Sequence, residues 1–375
     1  MTCFIATCKM GLESTVSRQL CRLGMEDVAA KDARVYFSGN YDSMCRAALW
    51  LRTAERLYVE VSAFHAETFE ELYQGVRSIR WEEYIGRNSK IHVNGKTARS
   101  RLFSVSDCQK IAKKAIIDRL SERYHTSFFP ESGEEVIVDI AILKDDVTAA
   151  LDCCGAGLSR RGYRTFNVPA PLSETLAAGI VLLSGFHGED ALLDPMCGSG
   201  TIPIEAALIA QNKAPGLQRS FSSEAWRFLP AGCWKRAREE AMDSVRPSSC
   251  LILGSDIDPR CVDLCRAHAR KAGVRIDWSE KGFEDVMVPG EYGQLVTNPP
   301  YGERLMDRNA SADLYRKLFR CFHSDKGWGK NIITAHPDFE RAYGKKADRR
   351  RKLSNGGLSC TLYQYYPDTR KPRPE

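Results

Sequence analysis

Leu192-Leu193-Asp194-Pro195-Met196-Cys197-Gly198-Ser199-Gly200-Thr201 is the stretch that decides how this chain folds. Its first residues are apolar and strand-like, and its middle is a turn built on two glycines. Residues 202–210 then continue as small and apolar residues interrupted by Glu205. Strand, glycine turn and helix in direct succession make a cradle. Glycine lets backbone amides approach a ligand without Cβ interference. A helix amino terminus adds free N–H groups and partial positive charge. The turn lacks the Gly-Lys-Ser/Thr of a phosphate loop and the Gly-x-Gly-x-x-Gly of a dinucleotide fold. Nucleoside triphosphates and dinucleotides are therefore poor candidates for its ligand.

In this stretch and around it, strands are expected at 192–194, 251–255, 276–279, 295–297 and 331–335. Helices are expected from 174, from 201, over 259–272 and over 312–321. Such alternation predicts an α/β domain, a mostly parallel sheet covered on both faces. Ligands bind such sheets at the carboxyl ends of the strands. Asp256 ends the strand after the glycine turn, where an acid can accept the two hydroxyls of an adenosine ribose. Asp258, before Pro259, reads as a helix cap. After the strand at 295–297 comes Asn298-Pro299-Pro300-Tyr301. An exocyclic base amine is a weak nucleophile because its lone pair is delocalised into the ring. Acceptors at the Asn298 side chain and the Pro299 carbonyl would take its two N–H bonds and aim the lone pair at an electrophile. Tyr301 offers a face on which the base can stack.

The amino-terminal part reads as two small α+β units, residues 1–65 and 66–153, ahead of the large domain at 154–375. Strands are expected at 4–8, 35–37, 56–63, 90–96, 136–143 and 147–151. Helices are expected at 13–23, 41–51, 69–78 and 107–124. Lys96, Arg99 and Arg101 flank one strand, and Lys110, Lys113 and Lys114 line the long helix. A basic linker holds Arg160, Arg161 and Arg164. The run Lys345-Lys346-Ala347-Asp348-Arg349-Arg350-Arg351-Lys352 carries six positive residues in eight. Such residues suit phosphate contacts, which are salt-sensitive and carry little sequence information. The residues expected on RNA are Lys96, Arg99, Lys113, Lys114, Arg161, Arg349, Arg350 and Lys352.

The chain has 375 residues, 43% of them hydrophobic, and a formal net charge of +6. That length predicts more than one domain, and the charge weakly favours an anionic partner. The fourteen cysteines show no zinc-type spacing, so reduced structural thiols and no metal are expected. His65, His92, His187 and His336 form no catalytic or metal pattern. No apolar run approaches the roughly 20 residues that span a bilayer, and no secretory signal precedes the fold. A cytoplasmic protein without membrane contact, monomeric or weakly dimeric, is the expectation.

Arg161-Gly162-Tyr163-Arg164, Ala170-Pro171-Leu172-x-Glu174, Asp194 to Thr201 with Glu205-Ala206-Ala207, and Asn298-Pro299-Pro300-Tyr301-Gly302-Glu303-Arg304 together resemble the THUMP-containing class I S-adenosylmethionine RNA methyltransferases. The similarity is greatest to the bacterial group that includes the guanine-N2 methyltransferase of large-subunit ribosomal RNA. It extends to residues 49–56 in a ferredoxin-like unit, to Lys113-Lys114-Ala115-Ile116 and Glu131-Ser132-Gly133 in a THUMP unit, and to a carboxyl-terminal hairpin at 352–356. The resemblance implies a Rossmann-like catalytic domain behind a ferredoxin-like and THUMP module. It implies S-adenosyl-L-methionine held by Asp194, Cys197, Gly198, Ser199, Gly200 and Asp256. It implies catalysis by Asn298, Pro299, Pro300 and Tyr301. The family carries an adenine-contacting acid after the third strand. Gly282 stands there in this chain, with Glu284 and Asp285 nearby and Phe283 as the expected packing residue. The implied substrate is a guanosine of 23S rRNA. The rivals are a tRNA guanosine, an adenine N6 amine, and a non-catalytic RNA-binding or ribosome-assembly role.

Overall fold

Two seven-stranded sheets carry the described residues of the chain. The computed structural model describes residues 1–164, 172–300 and 308–369. The first sheet is built from β1 (Thr2–Cys8), β2 (Glu26–Lys31), β3 (Arg34–Gly39), β4 (Ala54–His65), β5 (Lys90–Ala98), β6 (Glu135–Leu143) and β7 (Asp146–Asp152), with α1 (Glu13–Arg22), α2 (Tyr41–Trp50), α3 (Phe69–Arg77) and α4 (Val105–Tyr124) between them. Its order is β2-β3-β1-β4-β7-β6-β5. The two amino-terminal units therefore share one sheet: β4 pairs with β1 on one side and with β7 on the other. β2, which the sequence reading lacks, is an edge strand whose residues are almost all exposed. It has no apolar alternation to betray it.

Period-two patterning gives the sheet its sides. Phe4, Ala6, Val35, Phe37, Leu57 and Val59 turn inward to the core, as do Ile91, Val93, Val138 and Ile140 further along. Helix starts are fixed by side-chain caps. Asn40 accepts from the Ser43 N–H at α2, and Thr68 and Glu71 form a capping box at α3.

The second sheet follows with α5 (Glu174–Leu183), β8 (Ala191–Asp194), α6 (Thr201–Ala210), α7 (Cys233–Asp243), β9 (Ile252–Asp256), α8 (Pro259–Ala272), β10 (Asp277–Glu280), β11 (Gly293–Thr297), α9 (Arg308–Phe322), β12 (Trp328–Thr334), α10 (Phe339–Tyr343), β13 (Arg349–Asn355) and β14 (Leu358–Tyr365). Its order is β10-β9-β8-β11-β12-β14-β13. The first five strands are parallel, and β14 and β13 close the edge antiparallel. The order reverses next to β8, which puts a switch-point crevice at the carboxyl ends of β8, β9 and β11.

One continuous apolar core runs from Phe4 and Leu57 through Ile180 and Ile204 to Leu362. The two sheets are welded at close approaches. A Cβ on Gly179 would lie 2.8 Å from the Leu12 side chain, and one on Gly216 2.8 Å from the Leu49 backbone. Arg351 of β13 donates to the Gly11 carbonyl at 2.8 Å. Among the described residues no helix is long and apolar enough to cross a membrane, and no cluster of His, Cys, Asp and Glu could hold a metal ion. All fourteen cysteines are free thiols.

Candidate active site

Gly198 and Gly200 take left-handed φ values of +53° and +77°, which L side chains seldom adopt. Their reasons differ. At Gly200 a Cβ would strike the Trp278 indole at 2.8 Å and Cys265 Sγ at 2.9 Å, so that glycine serves close packing. At Gly198 nothing lies within 4 Å of the Cβ position, so its backbone faces open space. Three contacts from β9 and α8 fix the turn. The Cys197 N–H donates to Ser255 O at 2.9 Å, the Cys265 thiol to Gly198 O at 3.1 Å, and His268 Nδ1 lies 3.1 Å from Ser199 O. Burial lowers the His268 pKa, which keeps the imidazole neutral with its proton on Nδ1. Sequence reasoning missed His268 and Cys265 as holders of the turn. Their signal was a thiol and an imidazole three residues apart on the buried face of α8.

Asp256 ends β9 as expected. Its two oxygens accept the Gly198 N–H at 2.9 Å and the Asp258 N–H at 3.0 Å. Each oxygen keeps a second lone pair for a ligand hydroxyl. Asp258 caps α8, accepting from the Arg260 N–H at 2.9 Å. Ile257, between them, is 78% exposed, an apolar side chain standing free at the crevice. Its Cδ1 lies 3.9 Å from the Cβ position of Gly282. Glu284 is engaged by Lys317 at 2.9 Å, and Phe283 is half-buried against the β8-β11-β12 core.

Asp194 is fully buried, and burial pushes its carboxyl up to about 7. The nearby Asp256 charge acts in the same direction, whereas Thr297 and the Met196 N–H act against it. A raised acid contributes stability that is present below the ordinary carboxylate range and lost as pH rises through about 7. A cationic ligand reverses the balance by favouring the carboxylate. Ligand uptake should then expel a proton. The affinity for S-adenosylmethionine is expected to rise by up to about tenfold per pH unit below 7 and to level off above it. Asp194→Asn should flatten that profile. Calorimetry in two buffers of different ionisation enthalpy reads the proton directly, and an uncoupled, pH-flat affinity for the wild type would rule the linkage out.

Asn298 follows β11 immediately. Its Oδ1 is buried and has no hydrogen-bond partner among the described residues, and Pro299 behind it is buried. A buried acceptor left unsatisfied costs on the order of 1–3 kcal/mol, which marks the place for a donor from a ligand. Pro300 is half-buried. Ala170, Pro171, Tyr301, Glu303 and Arg304 lie outside the described residues. The turn, the ribose-type acid and the orphaned amide thus sit at the carboxyl ends of three adjacent strands. Open backbone space over Gly198 and free lone pairs on Asp256 fit an adenosine cofactor.

The basic residues divide. Lys96 lies on the helix-free face of the first sheet, 3.2 Å from Asp139 and over the Tyr58 ring. Arg99 is exposed at the end of β5. Lys113, 3.6 Å from Glu131, and Lys114, over the Tyr73 ring, sit on α4, which packs on the opposite face. Lys96 and Arg99 therefore do not share a patch with Lys113 and Lys114. Arg349 and Lys352 are exposed on β13, and Arg350 is paired with Glu340 at 2.6 Å. Arg161 is a correction. It is 2% exposed, 3.5 Å from the fully buried Glu205, and donates to Leu158 O and Arg52 O. It is an internal counter-ion and has no surface to offer RNA.

Comparison with known proteins agrees with this geometry. Residues 161–364 match the RMKL-like methyltransferase domain, residues 3–58 the RlmL ferredoxin-like domain and residues 66–152 the THUMP domain. The chain is 41% identical over 374 residues to the protein named RNA methyltransferase YpsC of Bacillus subtilis, covering 98% of this chain and 97% of that one. It is 34% identical to the ribosomal RNA large subunit methyltransferase K/L of Syntrophotalea carbinolica, covering 96% of this chain and 53% of that protein, so it spans about half of that relative. The crystal structure of the methyltransferase SMU.472 complexed with SAH superposes with a TM-score of 0.93 at 38% identity, covering 99% of each chain. Glycine turn, acid, orphaned amide and domain order converge: this chain belongs to the RMKL-like family of THUMP-bearing, S-adenosylmethionine-dependent RNA methyltransferases.

Proposed function

We propose that the chain methylates the exocyclic N2 amine of a guanosine in 23S ribosomal RNA. The observation that carries the amine chemistry is the buried Asn298 Oδ1, without a partner among the described residues, one residue beyond β11. In this reading Asn298 Oδ1 and the Pro299 carbonyl accept the two N–H bonds of the amine. That withdraws the lone pair from the ring and orients it. No tuned general base is needed, because the proton leaves after the nitrogen has become acidic. Asp194, Cys197, Gly198, Ser199, Gly200 and Asp256 hold the cofactor, which when bound supplies an electrophilic methyl group. Ile257 replaces Phe283 as the residue that packs on the adenine, since it is the one standing free. Tyr301 stacks on the flipped base. Lys96, Arg99, Lys113, Lys114, Arg349, Arg350 and Lys352 take phosphates. The choice of 23S rRNA is supported by the K/L relative.

The test is nucleoside mass spectrometry of 23S rRNA and tRNA from a strain deleted for the gene, before and after incubation with the purified protein and S-adenosylmethionine. N2-methylguanosine is expected to appear in the 23S pool. Its appearance only in tRNA, or of N6-methyladenosine instead, would replace the substrate. Methylation of neither pool would turn attention to a non-catalytic role.

A further inference from the structure

An adenine carries an exocyclic N6 amine, a double N–H donor, and a pocket that reads it has to present an acceptor. The loop that follows β10 is where this chain would have to place one. Parallel pairing sets Glu280, the last residue of β10, beside Asp256, the last of β9. The Lys281 N–H donates to Asp256 O at 3.1 Å, and the Ser255 hydroxyl donates to Lys281 O at 2.7 Å. The start of the loop is thereby tied to the strand end that carries the ribose-type acid. Ile257, the next residue on that strand end, reaches back to the loop, with its Cδ1 3.9 Å from the Cβ position of Gly282.

The acids of the loop are turned elsewhere. Glu284 is held by Lys317 of α9 at 2.9 Å. Burial and the charges of Glu284 and Asp285 raise the Cys321 thiol of α9, so Asp285 lies on that side too. Gly282 remains on the side of Ile257. It keeps φ −62° and ψ 148°, an extended backbone open to any residue. Nothing lies nearer its Cβ position than Ile257 Cδ1. Neither strain nor crowding among the described residues therefore requires a glycine here. Its missing side chain leaves free space beside Ile257, and Ile257 and Met287 are both exposed apolar side chains. Glu280, exposed at the end of β10, stands just before the loop.

We propose that the cofactor site leaves the adenine N6 amine unread and accepts, in the space beside Gly282 and Ile257, an apolar group carried on that nitrogen. The ligand class is S-adenosylmethionine or S-adenosylhomocysteine with an alkyl or aryl substituent on N6. The inference rests on Asp256 holding the ribose, which lays the base over Ile257 and turns its outer edge to the loop. Strong rejection of an altered ligand comes from polar groups of the site that are left unpaired, whereas apolar walls discriminate weakly. Here no acceptor is present to lose its partner. An N6 substituent instead covers the Ile257 side chain and takes apolar surface out of water. The site then selects its cofactor through the ribose acid and the glycine turn, and not through the edge of the base.

The test is calorimetry on the full chain with S-adenosylhomocysteine and with its N6-benzyl derivative. The wild type should bind the two within about threefold of each other, or the benzyl compound more tightly. Gly282→Asp puts an acceptor at the open position, in a backbone that aspartate adopts without strain. It should tighten the parent compound by roughly three- to tenfold and weaken the benzyl derivative, so that the variant prefers the parent. Ile257→Ala should weaken the benzyl derivative more than the parent. Rejection of the benzyl derivative by the wild type, or a Gly282→Asp variant that still binds both alike, overturns the inference. Glu280→Gln should leave both affinities unchanged, and a loss confined to the parent would show that Glu280 reads the amine and would overturn it as well. Asp256→Asn tests the premise separately and should weaken both ligands together. If it weakens neither, the ribose placement fails and takes the inference with it. If it weakens both while the wild type rejects the benzyl derivative, the N6 space alone fails.

Discussion

Asn298→Ala is expected to lower the rate of methyl transfer by on the order of 10²–10³ while cofactor affinity stays within about twofold, the scale seen when one preorganised polar contact to a reacting group is removed. The reason lies in what Asn298 does and does not touch. Its Oδ1 is buried and unpartnered among the described residues, so the substitution breaks no hydrogen bond to any of them. It should not cost stability, and relief of an unsatisfied acceptor could raise it slightly. The turn proposed to hold the cofactor is fixed from β9 and α8 through Ser255, Cys265 and His268, none of which shares a hydrogen bond with Asn298 among the described residues. The loss should therefore fall on kcat, since the acceptor matters most once the amine nitrogen has given up its conjugation. Asn298→Asp supplies a contrasting control. It keeps an acceptor of the same reach but adds a charge one residue beyond Thr297, which faces the buried Asp194, already pushed up to about 7, so it should also impair cofactor binding. Stopped-flow transfer to RNA and calorimetry with S-adenosylhomocysteine read the two effects separately. Parallel losses in both measurements for Asn298→Ala would mean that the residue builds the cofactor site and does not act on the amine.

What the sequence disclosed here follows from range. The glycine turn, Asp256 and Asn298 each sit at the carboxyl end of a short apolar strand, and each constraint is local. A left-handed backbone needs glycine, a cap needs an acid before Pro259, and a rigid turn needs Pro299 and Pro300. Such demands leave marks within a few residues. The shared amino-terminal sheet did not, because the β4–β7 register joins Tyr58 to Asp152 across a separation that no short pattern records. The edge strand β2 stayed invisible as well, because it has no buried alternation. Arg161 misled because a basic linker reads as surface. A partial signal did exist. Residues 201–210 are all buried, and Glu205 is charged. A carboxylate in a helix with no wet face requires a buried cation, and the cation proves to be Arg161 with Arg52.

That buried cluster carries the largest stability effect to be expected in the chain. Glu205 Oε1 accepts from the Tyr163 hydroxyl at 3.1 Å and lies 3.5 Å from Arg161 Nε. Arg52, from the turn after α2, packs in the same place and donates to Lys213 O at 2.9 Å. Burial lowers its guanidinium to about 10 although Glu205 pulls the other way. One carboxylate thus serves two buried cations, one from the amino-terminal module and one from the linker, on the helix that starts at the glycine turn. Glu205→Ala leaves both cations without a counter-charge and should cost about 3–5 kcal/mol, the usual penalty for breaking a buried pair from one side. The first thermal transition should fall accordingly. Glu205→Gln separates charge from shape. It retains an acceptor for Tyr163 and the side-chain volume, so a packing account expects nearly wild-type stability, whereas the electrostatic account expects a loss close to that of alanine. Replacing Arg161 with Met in the Glu205→Gln background should then recover part of the loss, because one unpaired cation has been removed. A Gln variant as stable as the wild type, with no coupling to Arg161, would show that the cluster holds the modules together by packing and hydrogen bonds rather than by charge.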